Sequence, residues 1–95
     1  MDTTATGPVA TEMLARLNSA LSPTFIQLTD DSEKHRGHRG YNAAGESHFS
    51  LEIESAAFAA KSRVDRQRLV YKALGNLMRE RVHALQIRAR APGEV

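Results

Sequence analysis

Four histidines, His35, His38, His48 and His83, carry most of the chemistry that this 95-residue sequence can offer. Neutral imidazole is a good ligand for iron, zinc or copper. The chain has no cysteine. It therefore has no disulfide framework, no zinc thiolate site and no thiol nucleophile, and it cannot hold an iron–sulfur cluster by itself. Two imidazoles are half a coordination sphere, so a cluster bound here would take its thiolates from a partner. A lone histidine is more commonly a satisfied, half-buried side chain. Ligation becomes competitive only where histidines meet, so the question is which elements bring them together.

Gly7-Pro8 opens the first helix, because proline at the first helical position loses no useful N–H. Met13, Leu14, Leu17 and Leu21 then recur at helical spacing. Ser22-Pro23 ends that helix, since a residue before proline is pushed out of the α region. The first strand runs from Thr24 to Thr29. Residues 30–45, DDSEKHRGHRGYNAAG, are polar and turn-rich, and loops of that length are often functional or mobile. Phe49, Leu51 and Ile53 then alternate with Ser50, Glu52 and Glu54, the period of a strand with one packed and one wet face. A short helical turn tucks Phe58 into the core. Ser62 and Asp65 form a capping box for a second long helix from Arg63 to Met78, whose apolar stripe is Leu69/Val70, Ala73/Leu74 and Leu77/Met78. The last strand runs from His83 to Arg90, with Leu85, Ile87 and Ala89 on one side.

The order α-β-β-α-α-β predicts an α+β fold: a three-stranded mixed sheet with helices on one face. Strands one and two are antiparallel, and strand three returns by a helical crossover, parallel to strand two. The starts of strands two and three then share one end of the sheet with the loop that follows strand one. His35 and His38 in the loop, His48 and His83 all map to that edge. His83 shares parity with Leu85 and Ile87, which points it toward the helix-covered side, half-buried at the rim. His48 falls on the polar face, where a hydrogen-bonding role is expected over ligation.

Hydrophobic residues make up 41% of the chain and charged residues 25%, ordinary globular usage. No run approaches the roughly 18 apolar residues of a membrane span. The N-terminal MDTTATGP lacks the pattern of a signal or transit peptide, so a cytoplasmic location with no membrane partner is expected. The formal net charge of +2 divides unevenly: residues 1–60 carry 4 basic and 8 acidic residues, residues 61–95 carry 9 and 3. A basic half attracts phosphate or an acidic protein, or is simply a solvated helix face. Gly37-His-Arg-Gly40 fits the GxxG clamp of KH domains, but those place it between helices, and here it lies between strands. No P-loop, HExxH pair or GxSxG elbow occurs, and Asp30-Asp31 has no pocket to shift its ionisation. An enzyme is not expected.

The stretches DDSEKHRGH (30–38), GESHF (45–49), FAAKSRVDRQRLVY (58–71) and VHAL (82–85) together resemble the BolA family, over about residues 9–92. The resemblance implies a class II KH-like fold, placed on residues 8–91; the composition of residues 1–7 and 92–95 marks them as flexible ends. The resemblance also implies partnership with a monothiol glutaredoxin of the CGFS type and a shared [2Fe–2S] cluster, absent from the isolated chain. His83 of the VHAL block would be one ligand. His35 would be the second, with His38 as the next choice, and glutaredoxin cysteine and glutathione would supply sulfur. Bacterial members are also described as DNA-binding regulators tied to stress. The corresponding helix-turn-helix-like segment here offers Lys61, Arg63, Arg66, Gln67, Arg68 and Lys72 for weak DNA contact. Three positions depart from the family pattern: Asp31 stands for Glu, Ala60 for a glycine that would matter if its φ is positive, and Gln67 for a histidine. If Lys61, Arg63, Arg66, Arg68 and Lys72 form one continuous face, the DNA reading gains; if they scatter, the histidine edge is the better site.

Overall fold

The computed structural model describes residues 5, 7–31 and 48–94. Helix α1 spans Pro8–Leu21 and starts behind an extended Gly7, whose carbonyl accepts from both the Thr11 amide and the Thr11 hydroxyl at 2.8 Å. Its end differs in detail from expectation. Ser22 is not extended before Pro23 but takes the left-handed conformation, φ 45°, and donates its N–H to the Asn18 carbonyl. Strand β1 is Phe25–Asp30 and β2 is His48–Glu54. A single 3₁₀ turn, Ala56–Phe58, follows. Ser55, buried at its head, accepts from the Ala57 amide and donates to the Leu21 carbonyl at 2.5 Å, which pins the turn to the end of α1.

The capping box at Ser62 is formed: its hydroxyl accepts from the Asp65 amide at 3.1 Å. The helix it starts is shorter than the spacing suggested. Helix α2 spans Arg63–Leu74 and stops at Gly75, and Leu77 and Met78 belong to a separate turn of helix, α3, Leu77–Glu80. Two causes act together. Gly75 sits at φ 57°, where an L side chain is strained. Arg16 of α1 donates to the Leu74 carbonyl at 2.8 Å and to Asn76 Oδ1 at 2.9 Å. A guanidinium that satisfies the last carbonyl of a helix removes the gain from continuing it.

Strand β3 is Ala84–Arg90, one residue later than expected. The sheet order is β1-β2-β3. β1 and β2 run antiparallel with Leu28 opposite Leu51, and β2 and β3 run parallel with Leu51 opposite Ile87. The mixed sheet carries its helices on one face. Val9, Ala10, Met13, Leu17 and Leu21 of α1 and Val70 and Leu74 of α2 close over Leu28, Phe49, Leu51, Ile53 and Phe58. Each fully buried large side chain contributes about 1.5–3 kcal/mol relative to exposure.

The other face is polar, in rows set by the register: Phe25–Glu54–Arg90, Gln27–Glu52–Arg88, Thr29–Ser50–Gln86. Arg90 lies over the Phe25 ring, 5.3 Å from its centroid, and donates to Glu52 at 2.7 Å and Glu54 at 2.9 Å. The Thr24 hydroxyl, donating to Glu54 at 2.7 Å, and then Arg90 hold the Glu54 carboxyl below its ordinary value. Among the described residues, no helix is long and apolar enough to cross a membrane.

Candidate functional site

The parallel register sets His48 beside Ala84, so the residue before Ala84 meets the head of β2. The rings of His48 and His83 stand 5.8 Å apart, centroid to centroid, inclined at 56°. Their surroundings differ. His48 is 9% exposed, whereas His83 is exposed. Beneath them Asp31, also buried, donates its N–H to the His48 carbonyl at 2.7 Å, and its carboxylate accepts from the Ser50 hydroxyl. The rim is thus a polar group of Asp31, His48 and Ser50, with His83 outermost.

Two sequence expectations change here. His83 is neither half-buried nor turned under the helices. Parity fixes side-chain direction only within a ladder, and the ladder begins at Ala84. Val82, at 4% exposed, takes the buried position instead and leaves its neighbour free to turn toward His48. His48 is on the expected polar face, but it is buried and directly against His83. The signal for that contact was present in the sequence as the parallel pairing of strands two and three. His35 and His38 lie outside the described residues.

Two imidazoles that share one tetrahedral ion have centroids roughly 5 Å apart, given metal–nitrogen bonds near 2 Å. The observed spacing is close to that, and it equally suits one exposed ligand backed by a buried partner that orients it. Among the described residues, no group of three or more His, Cys, Asp or Glu could hold a metal ion.

The basic residues of the second helical segment do not form one face. Arg63, Arg66 and Gln67 line a groove with Ile87, Ala89 and their neighbours on β3. Lys61, Arg68 and Lys72 line a separate depression with Asp65 and Leu69. Several charges are already engaged. Arg68 pairs with Asp65 at 3.2 Å. Arg66, its side chain 14% exposed, donates to the Lys61 carbonyl at 3.0 Å, the Ala89 carbonyl at 3.2 Å and, through both terminal nitrogens, to Glu94 at 2.6 and 2.7 Å. The Arg66 fork and then the Ala91 amide pull the Glu94 carboxyl down to about 2, and the Glu94 carboxylate in turn raises the guanidinium. Nothing in the sequence pattern pointed to this closure of the segment after β3.

The family model described as BolA-like protein matches residues 17–94. The chain belongs to the BolA family. Its relatives include SufE-like protein 1, chloroplastic/mitochondrial, of Arabidopsis thaliana, 39% identical over 84% of this chain and 23% of that protein. BolA-like protein 1 of Mus musculus is 37% identical over 95% of this chain and 63% of its own length. The BolA-like chain therefore spans less than two thirds of either relative. Among solved structures, the BolA domain of SufE1 from Arabidopsis thaliana superposes with a TM-score of 0.84 at 37% identity, covering 96% of this chain and all 100% of that one. Departures from the family pattern can now be placed. Ala60, standing for a glycine, has φ 60°, so the position does demand the left-handed region. Gln67 is half-buried beside the β3 groove.

Proposed function

We propose that this BolA-like protein is a non-enzymatic partner of a monothiol CGFS glutaredoxin, with which it shares a [2Fe–2S] cluster in iron–sulfur trafficking. The observation that carries the reading is the contact of two imidazoles at the head of the parallel strand pair, one exposed and one buried. His83 is the ligand presented outward. His35 is the second ligand, as the family resemblance implies. His48 orients His83, as partners behind metal-bound histidines commonly do. A chain without cysteine must leave thiolates to the glutaredoxin and to glutathione. A relative named as SufE-like points to the same iron–sulfur setting. The bound cluster would supply electron or cluster transfer, and this chain's part is to hold it asymmetrically through nitrogen.

The test is co-expression with a CGFS glutaredoxin, followed by visible absorption and circular dichroism of the purified complex. His83→Ala should abolish the bands of histidine ligation. His35→Ala should change them, and His38→Ala should leave them nearly intact. His48→Ala should perturb them without abolishing them. An unchanged spectrum for His83→Ala sinks the proposal. Loss of the bands in His48→Ala with silence in His35→Ala would make His48 the second ligand. The regulator reading is the weaker one. Its basic side chains divide between two surfaces, and two of them are ion-paired. A tight, salt-resistant complex with one duplex sequence, lost in Arg68→Ala, would reverse the ranking.

A further inference from the structure

We infer that the free edge of β3 is a docking strand for an extended segment of a partner protein in which acidic and apolar residues alternate. The site runs along the strand from Leu85 to Ala89, two to six residues beyond His83, about 7–20 Å along an extended chain. It does not depend on the cluster reading.

The direction of the edge groups follows from two hydrogen bonds. The Arg90 carbonyl accepts from the Ser55 amide, so it faces β2. The Ala89 carbonyl accepts from Arg66, so it faces away from β2. Backbone groups of a strand alternate between its two sides. The N–H and C=O groups of Leu85 and Ile87 therefore face outward with Ala89. β3 is the last strand of the sheet, and only Ala89 among these three has its outward carbonyl taken, by Arg66. An open edge of this kind is a ready template for another strand.

Beside it lies a groove of about 490 Å³ whose charged lining is Arg63, Arg66, Arg88 and Arg90 against the single acid Glu52. That acid is already bonded to Arg90 at 2.7 Å. Arg63 and Arg88 form no ion pair among the described residues and are exposed. A carboxylate already sits in the neighbouring Arg66 fork, that of Glu94, so the groove has the geometry to hold this group. Charge also selects against self-pairing: two β3 edges side by side would bring the Arg88 and Arg90 of both copies onto one face. The complementary strand can be specified further. Ile87 and Ala89, half-buried, project to the helix side, and Arg88 to the open face. An added strand in register presents apolar side chains to the first and acidic ones to the second.

The probe is a fluorescein-labelled peptide of about eight residues alternating glutamate and valine, titrated onto the full chain at near-physiological salt, with amide shifts followed by NMR. The amides of Leu85, Ile87 and Ala89 should move most. Arg88→Glu should weaken binding roughly tenfold, and Arg79→Glu, on α3, should not. N-methylation of alternate peptide residues should abolish binding in one frame and spare the other, because only one set of amides faces β3. Equal loss in both frames, equal binding of a lysine–valine peptide, or self-association through β3 would overturn the proposal. So would a DNA duplex that moves these amides when the peptide does not.

Discussion

The two ends of β3 present surfaces built in opposite ways. At its start, His83 depends on almost nothing but the chain path: the parallel register carries it to the head of β2, where it meets His48. At its end, Arg66 is tied by side-chain bonds to three separate stretches of chain, at Lys61, Ala89 and Glu94. The comparison teaches where function can vary cheaply. An exposed side chain placed by backbone register can be replaced without disturbing its support. A guanidinium that closes a network cannot, because each removed bond leaves a carbonyl or carboxylate to find water. The imidazole end is therefore suited to a ligand exchanged between proteins, and the arginine end to a surface that keeps its shape.

Both ends still rest on one sheet, and the largest effect should strike them together. Leu51 is buried between Leu28 and Ile87 in the central row. Leu51→Ala should cost about 2–5 kcal/mol, a large part of the roughly 5–15 kcal/mol typical of a domain. Urea unfolding followed by amide signals of His83 and of Ala89 should give one transition, shifted equally at both. Separate midpoints would mean that the ends are independent, and the comparison would be one of two structural units instead of two surfaces.

Smaller, and confined to the arginine end, is the effect of Ala60. Its φ of 60° sets the direction of the chain just before Lys61, whose carbonyl accepts from Arg66 at 3.0 Å. An L residue in the left-handed region costs about 1–2 kcal/mol, partly offset by the greater freedom that glycine loses on folding. Ala60→Gly should therefore stabilise the protein by roughly 0.5–1 kcal/mol, measured by thermal or urea unfolding. Destabilisation would show that the alanine methyl makes a contact worth more than the strain.

This position was readable in advance only as a departure from a pattern; its sign came from the backbone. Much else was legible because it is periodic or local. The alternation over Phe49–Glu54, the Ser62 cap and the proline start of α1 each depend on a few neighbouring residues. The mixed topology followed from a helical crossover between strands. What escaped depends on contacts distant in sequence. The break at Gly75 looked like continuous helix because Leu77 and Met78 keep the spacing, and the side chain that ends it, Arg16, comes from α1. The exposed ring of His83 was hidden because parity has no meaning one residue outside a ladder. The Glu94 carboxylate on Arg66 is an ion pair between segments that no periodicity connects.

Smaller again is the expected cost of removing His83. It is exposed and contributes no side-chain bond to the core, so His83→Ala should change stability by no more than about 0.5 kcal/mol. The same variant should lose the cluster bands. A large destabilisation in urea unfolding would show that the His48 contact supports the sheet, and the contrast between the two ends would weaken.

The smallest effect concerns acid and the arginine end alone. Glu94 has its carboxyl lowered to about 2, first by the hydrogen bonds from Arg66 and then by the Ala91 amide. A group whose folded value is depressed adds stability above its unfolded value and loses it as pH falls through the folded one. The contact of Glu94 with Arg66 should thus be complete above about pH 5. Its contribution should fade below that and vanish only as the carboxyl protonates near 2. Glu94 is substantially exposed, 41% by side chain, so water and salt weaken the attraction and the effect on global unfolding should be slight. The local reading is sharper. The Glu94 side-chain carboxyl signal, followed by NMR from neutral pH downward, should titrate well below the ordinary glutamate value. The Arg66 Nε–H signal should change with it, and Glu94→Gln should remove that dependence. A Glu94 that titrates at the ordinary glutamate value, or an Arg66 signal indifferent to acid, would mean that the segment after β3 is not held against the groove, and the arginine end would become as lightly supported as the histidine end.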